Sequence, residues 1–117
     1  MCLMTLMFRR IKERPCVCDA RNVRSGTAVR LRPENARDVA EWCGAPASGF
    51  PLWLSHGSAM PGDWVFCYDG EPGFRCLRDD VFALRHEDVT ASEQAREEEL
   101  LSRLVVRLRR LMPDLAP

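Results

Sequence analysis

The stretch Pro61-Gly62-Asp63-Trp64-Val65-Phe66, answered by Phe74-Arg75-Cys76-Leu77, limits the fold more than any other part of the chain. Aromatic and β-branched residues flank the turn-forming run Asp69-Gly70-Glu71-Pro72-Gly73, a pattern that predicts two antiparallel strands joined by a short loop. Symmetric closure of that loop would set Cys67 opposite Cys76 and Phe66 opposite Leu77.

Other segments supply the remaining elements. Pro15-Cys16-Val17-Cys18-Asp19-Ala20 alternates like a strand, Asn22 to Gly26 reads as a turn, and Thr27-Ala28-Val29-Arg30-Leu31 suits a second strand. Pro33 opens a helix at a position where its missing N–H costs nothing. Ala36, Val39, Ala40 and Cys43 recur at helical spacing, Trp42 edges that stripe, and Gly44 supplies a stop. Two prolines and Gly49 mark a loop from Ala45 to Pro51. Leu52-Trp53-Leu54 predicts a short strand, Ser55-His56-Gly57-Ser58 a turn, and Val81 to Val89 a helical turn followed by an edge strand.

The last element is the clearest helix. Thr90 and Glu93 have capping-box spacing and Pro113 terminates. Leu100, Leu101, Leu104, Val105, Leu108, Leu111 and Met112 share a stripe about 140° wide. Glu97, Glu98 and Glu99 lie toward its start and Arg107, Arg109 and Arg110 toward its end, complementing the helix dipole. An apolar face of this kind folds back on its own domain, pairs with a second copy, or docks in a partner's groove.

A chain of 117 residues suffices for one core plus an accessory element. The division expected is an apolar N-terminal tail over 1–8, an α+β domain over 9–89 and a C-terminal helix over 90–113. The basic cluster Arg9, Arg10, Lys12 and Arg14 follows the apolar start, the reverse of a secretory signal, so a cytoplasmic location is expected. Residues 1–32 carry eight basic side chains against Glu13 and Asp19, whereas residues 33–90 carry four against ten acids. Mutual neutralisation of the two segments is the simplest outcome. A basic stripe of Arg9, Arg10, Lys12, Arg14, Arg21 and Arg24 on nucleic acid is the alternative.

Chemistry-bearing patterns are thin. Only one tight cysteine pair, Cys16-x-Cys18, stands against the two pairs of a usual structural zinc site, so no metal and no cofactor are expected. The six cysteines are expected as thiols. Ser55-His56 has no evident orienting carboxylate and no nucleophile elbow, Asp79-Asp80 suits a turn or cap, and no phosphate loop is present. No catalytic residues are assigned. Trp42, Trp53, Trp64, Phe66, Phe74 and Phe82 are expected in the core rather than on a base-stacking surface.

One resemblance bears on the setting. Arg14-Pro15, the run Arg32-Pro33-Glu34-Asn35-Ala36 on to Glu41-Trp42-Cys43-Gly44, then Met60-Pro61-Gly62-Asp63-Trp64-Val65 and Cys76 ahead of Asp80-Val81-Phe82, occur in a set order. That order resembles a family of small uncharacterised proteins of actinobacterial phages and prophages, over roughly residues 9–89. The resemblance implies an α+β fold and a phage setting, and implies no reaction.

The sequence therefore predicts a small antiparallel sheet with one packed helix, plus a C-terminal amphipathic helix. The function expected is non-enzymatic: protein binding or self-association through Leu101, Leu104, Val105, Leu108 and Leu111, with no membrane partner.

Overall fold

The computed structural model describes residues 6–15, 22–47 and 49–111. Strands β1 (Arg9–Glu13) and β2 (Ser25–Arg30) lead to a single 3-10 turn over Pro33–Asn35 and helix α1 (Ala36–Cys43). A small ladder of β3 (Leu52–Leu54) and β4 (Gly57–Ala59) follows. Then come β5 (Trp64–Tyr68), β6 (Arg75–Leu77), α2 (Asp79–Arg85), β7 (His86–Asp88) and the long α3 (Thr90–Leu111). The main sheet is antiparallel in the order β6-β5-β2-β1-β7. The α+β architecture and the C-terminal helix are as the sequence predicts.

Alternation along the strands sends side chains to two covered faces. On one, Val29 and Val65 meet Val39 and Ala40 of α1 together with Leu52 and Ala59 of the small ladder. Phe8, Trp42 and Phe74 close this layer edge to face, with ring centroids 5.1 and 4.8 Å apart. On the other, Ile11, Ala28, Phe66 and Tyr68 lie under Phe82 of α2. Two helices therefore pack on the sheet, where the sequence anticipated one helix and a helical turn. Helix α1 ends at Gly44, whose φ of 68° is the left-handed cap geometry.

Several expectations change. Strand β1 covers Arg9–Glu13, the segment read as a basic cluster, while the strand expected over Pro15–Ala20 falls almost wholly outside the described residues. Patterning hid β1 because its inward positions are Ile11 and Glu13, a buried carboxylate held by Arg24. Leu6 is buried and Phe8 packs on Trp42, so the apolar start contributes to the core at both positions. The hairpin register is two residues off the symmetric one: Val65 faces Cys76 and Phe66 faces Arg75. Beyond Phe66, β5 stays with β2, and the Asp69 N–H donates to the Ser25 carbonyl; the Phe74 N–H instead donates to Ser55 Oγ. Trp53 is 64% exposed, so it is not part of the core that Trp42 and Trp64 help to build. Gly57 and Ser58, read as the end of a turn, belong to β4.

Candidate functional site

Among the described residues, helix α3 is rooted in the sheet through its first turn alone. Asp88 Oδ1 accepts from both the N–H and the hydroxyl of Thr90, at 3.0 and 2.6 Å. Thr90 Oγ1 in turn accepts the Arg10 N–H at 2.8 Å. The Glu93 carboxylate does not close a capping box onto Thr90; it receives the Arg10 guanidinium at 2.8 Å. That same guanidinium reaches Asp69 through two bonds of 3.0 and 2.6 Å and Thr27 Oγ1 at 2.9 Å. Arg10 is thus the residue that ties β1, β2, the β5–β6 loop and α3 together. Pairing with Arg10 holds the Asp69 carboxyl below its ordinary range, and Asp88 is held down by Arg9 and Thr90 against the opposing effect of its burial.

Past that turn the helix leaves the body. A helix of 22 residues is about 33 Å long. The radius of gyration is 18.3 Å, against roughly 13 Å for a compact chain of this length. Leu101, Leu104, Val105 and Leu108 are 47–61% exposed and Leu111 is 71% exposed. The five residues singled out from sequence therefore stand on one helix, uncovered by the described residues. A concavity of about 630 Å³ opens along Leu100, Arg103, Leu104, Arg107 and Arg110 on the arginine-bearing flank. Ion pairing within the helix links Glu99 to Arg103 at 2.6 Å, a contact of a few tenths of a kcal/mol on an exposed face.

The alternative set behaves differently. Arg9 pairs with Asp88 at 2.6 Å, Arg10 with Asp69 and Glu93, and Arg24 with Glu13 at 2.8 Å and Glu71 at 3.2 Å. Arg14 donates to the Ala83 carbonyl at 3.2 Å, Lys12 is exposed, and Arg21 lies outside the described residues. Asp88, Asp69 and Glu71 of the acidic middle thus meet three side chains of the basic start, Arg9, Arg10 and Arg24. Arg24 also sits 4.0 Å over the Tyr68 ring, at a polar concavity of about 490 Å³ bordered by Glu13, His56, Arg75 and Arg85.

Burial pushes the Cys43 thiol up to about 12, and burial raises Cys67 and Cys76 as well, so none of the three favours a thiolate. Ser55 Oγ accepts the Phe74 N–H at 2.7 Å, a loop-fixing contact. Asp79 accepts from the Trp64 indole N–H at 2.7 Å within the first turn of α2. Among the described residues no three His, Cys, Asp or Glu side chains gather as metal ligands; Cys16 and Cys18 lie outside them. Among those residues no helix is long and apolar enough to cross a membrane.

Besides Glu13, His86 is a buried polar group that the sequence reading did not place in the core. His86 opens β7 under Phe66 and Phe82, with Nε2 2.7 Å from the Tyr68 hydroxyl and Nδ1 3.4 Å from the Phe82 carbonyl. A carbonyl only accepts, so Nδ1 carries the proton and Tyr68 donates to Nε2. Burial lowers the His86 pKa and raises that of Tyr68 to about 12, with Glu13, Arg24 and Arg85 as the charged neighbours of His86. The unfolded chain takes up a proton on this imidazole near pH 6.5 and the folded chain resists it. Stability contributed by neutral His86 is therefore complete above about pH 6.5 and declines as pH falls below it. The depressed Glu13, Asp69 and Asp88 carboxyls act only at lower pH. Melting midpoints should accordingly fall between about pH 7.5 and 5.5. His86→Gln should flatten that slope, and an unchanged slope in this variant would remove His86 as its source.

Comparison with protein-family models, curated proteins and solved structures finds no match to this chain.

Proposed function

We propose that this chain is a non-enzymatic accessory protein that acts by binding protein through the apolar face of α3. The observation that carries this reading is that Leu101, Leu104, Val105, Leu108 and Leu111 stand exposed on a helix whose fastening to the body, among the described residues, involves only its first turn. An aliphatic row of that size gains nothing from water and gains most from an apolar partner surface. Protein binding is favoured over nucleic acid because Arg9, Arg10 and Arg24 already face carboxylates, which a phosphate would have to displace. The resemblance to small proteins of actinobacterial phages and prophages supports a phage-type setting inside a bacterial host.

The test is whether the face serves the fold. Leu104→Glu combined with Leu108→Glu should leave the melting midpoint within about 2 °C of the parent, since exposed substitutions cost little. Were the two leucines sheltered by their own chain, two buried carboxylates would lower it by more than about 10 °C. That larger drop would end the binding reading.

A further inference from the structure

We propose that the concavity beside Tyr68 binds the phosphate group of a small phosphomonoester, held by Arg75 and Arg85 with the His56 ring at its border. The site shares no residue with the leucine face of α3 and does not depend on what that face binds.

Tyr68 is the fixed point of the site. Its hydroxyl is committed to His86 Nε2 at 2.7 Å, so the ring is held in place, with the Arg24 guanidinium 4.0 Å and the Arg75 guanidinium 5.6 Å from its centroid. Arg24 is spent on structure. It donates to both oxygens of Glu13, at 2.8 and 3.1 Å, and to both oxygens of Glu71, at 3.2 and 3.3 Å. Arg75 is not spent in this way: its approach to Glu71 is 3.8 Å, beyond hydrogen-bond length. Arg85, on the last turn of α2, forms no ion pair among the described residues. Three guanidinium groups thus border one space with two carboxylates, and the unused donors lie on Arg75 and Arg85.

The third donor comes from the small ladder's turn. The His56 N–H donates to the Phe74 carbonyl at 3.2 Å, which seats His56 beside Arg75. Gly73 keeps the imidazole uncovered, since a Cβ there would stand 2.5 Å from His56 Nε2.

This donor set selects the ligand. A carboxylate presents two oxygens and is satisfied by one guanidinium fork, which would leave the second arginine unpaired. A phosphomonoester presents three oxygens and a charge near two, matching two forks and one ring N–H. Glu13 and Glu71 on the same border repel a second phosphate, so an extended polyanion does not suit the space. A volume of about 490 Å³ is that of a small-molecule site. Phe66 and Leu77 supply an apolar wall for the organic part of the ester.

Amide NMR shifts of the full chain titrated with phenyl phosphate should report one saturable site around Tyr68 and Arg75, with a dissociation constant below about 1 mM. Inorganic phosphate should bind there more weakly, and benzoate more weakly still. Arg85→Gln alters an exposed position and should keep the melting midpoint within about 2 °C while weakening phenyl phosphate by about tenfold. Arg75→Gln should do the same to binding. The Leu104→Glu, Leu108→Glu variant should bind as the parent does, which keeps the fate of this site separate from that of α3. No saturable shift by about 10 mM overturns the proposal, as does binding that survives Arg75→Gln and Arg85→Gln combined. Benzoate binding as tightly as phenyl phosphate overturns the assignment to phosphate.

Discussion

Replacing Gly26 with alanine is expected to lower the melting midpoint by more than about 12 °C, or to prevent folding. Gly26 lies in β2, between Ile11 of β1 and Tyr68 of β5. A Cβ built there would stand 2.2 Å from the Cys67 carbonyl oxygen, 3.0 Å from its carbon and 3.1 Å from the Tyr68 Cα. All three are backbone atoms of the neighbouring strand, so no rotamer change relieves the overlap. Relief would require β2 and β5 to separate in the middle of the sheet, at the expense of ladder hydrogen bonds that no water can replace there. A cost above about 3 kcal/mol follows. Gly44 provides the contrast: its φ is positive but nothing lies within 4 Å of its missing Cβ, so alanine there should cost only about 1 kcal/mol. Thermal unfolding of the two variants side by side checks the argument, and similar midpoints would refute the close approach at Gly26.

Gly26 also shows where the sequence runs out. In the chain it ends Asn22 to Gly26, a run with the composition of a turn, and nothing local reveals that a second strand passes within contact of it. The elements that could be read locally are those with local causes. Helix α1 has Pro33 ahead of it and Gly44 behind it, and α3 has leucine periodicity from Leu100 to Leu111. Strand β1 needed its partners: Glu13 is tolerated inside only because Arg24, eleven residues on, meets both carboxylate oxygens. The hairpin was legible and its register was not, because Ser25, Arg10 and Ser55 claim the groups of the loop. For the candidate site the division is similar. The apolar face of α3 is written in its own spacing, whereas the hub at Arg10 depends on residues from four separate segments.

Phe66→Ala should be the most damaging single change in the second core layer, lowering stability by about 3–5 kcal/mol and the midpoint by roughly 12–20 °C. Phe66 is 2% exposed and its ring lies 5.4 Å from Tyr68, 5.5 Å from Phe82 and 5.0 Å from His86. Phe82 holds α2 to the sheet and His86 begins the strand that feeds α3, so a cavity here opens beneath the root of the exposed helix. Phe66→Leu keeps most of the volume and should cost under about 2 kcal/mol. Because α3 is fastened, among the described residues, only through Thr90, Glu93 and the strands beneath them, its helicity should be lost in the same transition as the aromatic signal of the core. Circular dichroism followed in the far and near ultraviolet reads both. A helix signal that survives core melting would show α3 to be stable without the body. Coincident loss, combined with an unshifted midpoint for the Leu104→Glu, Leu108→Glu variant, assigns fold stability to the sheet and its two packed helices and leaves the outer leucines free for contact with another chain.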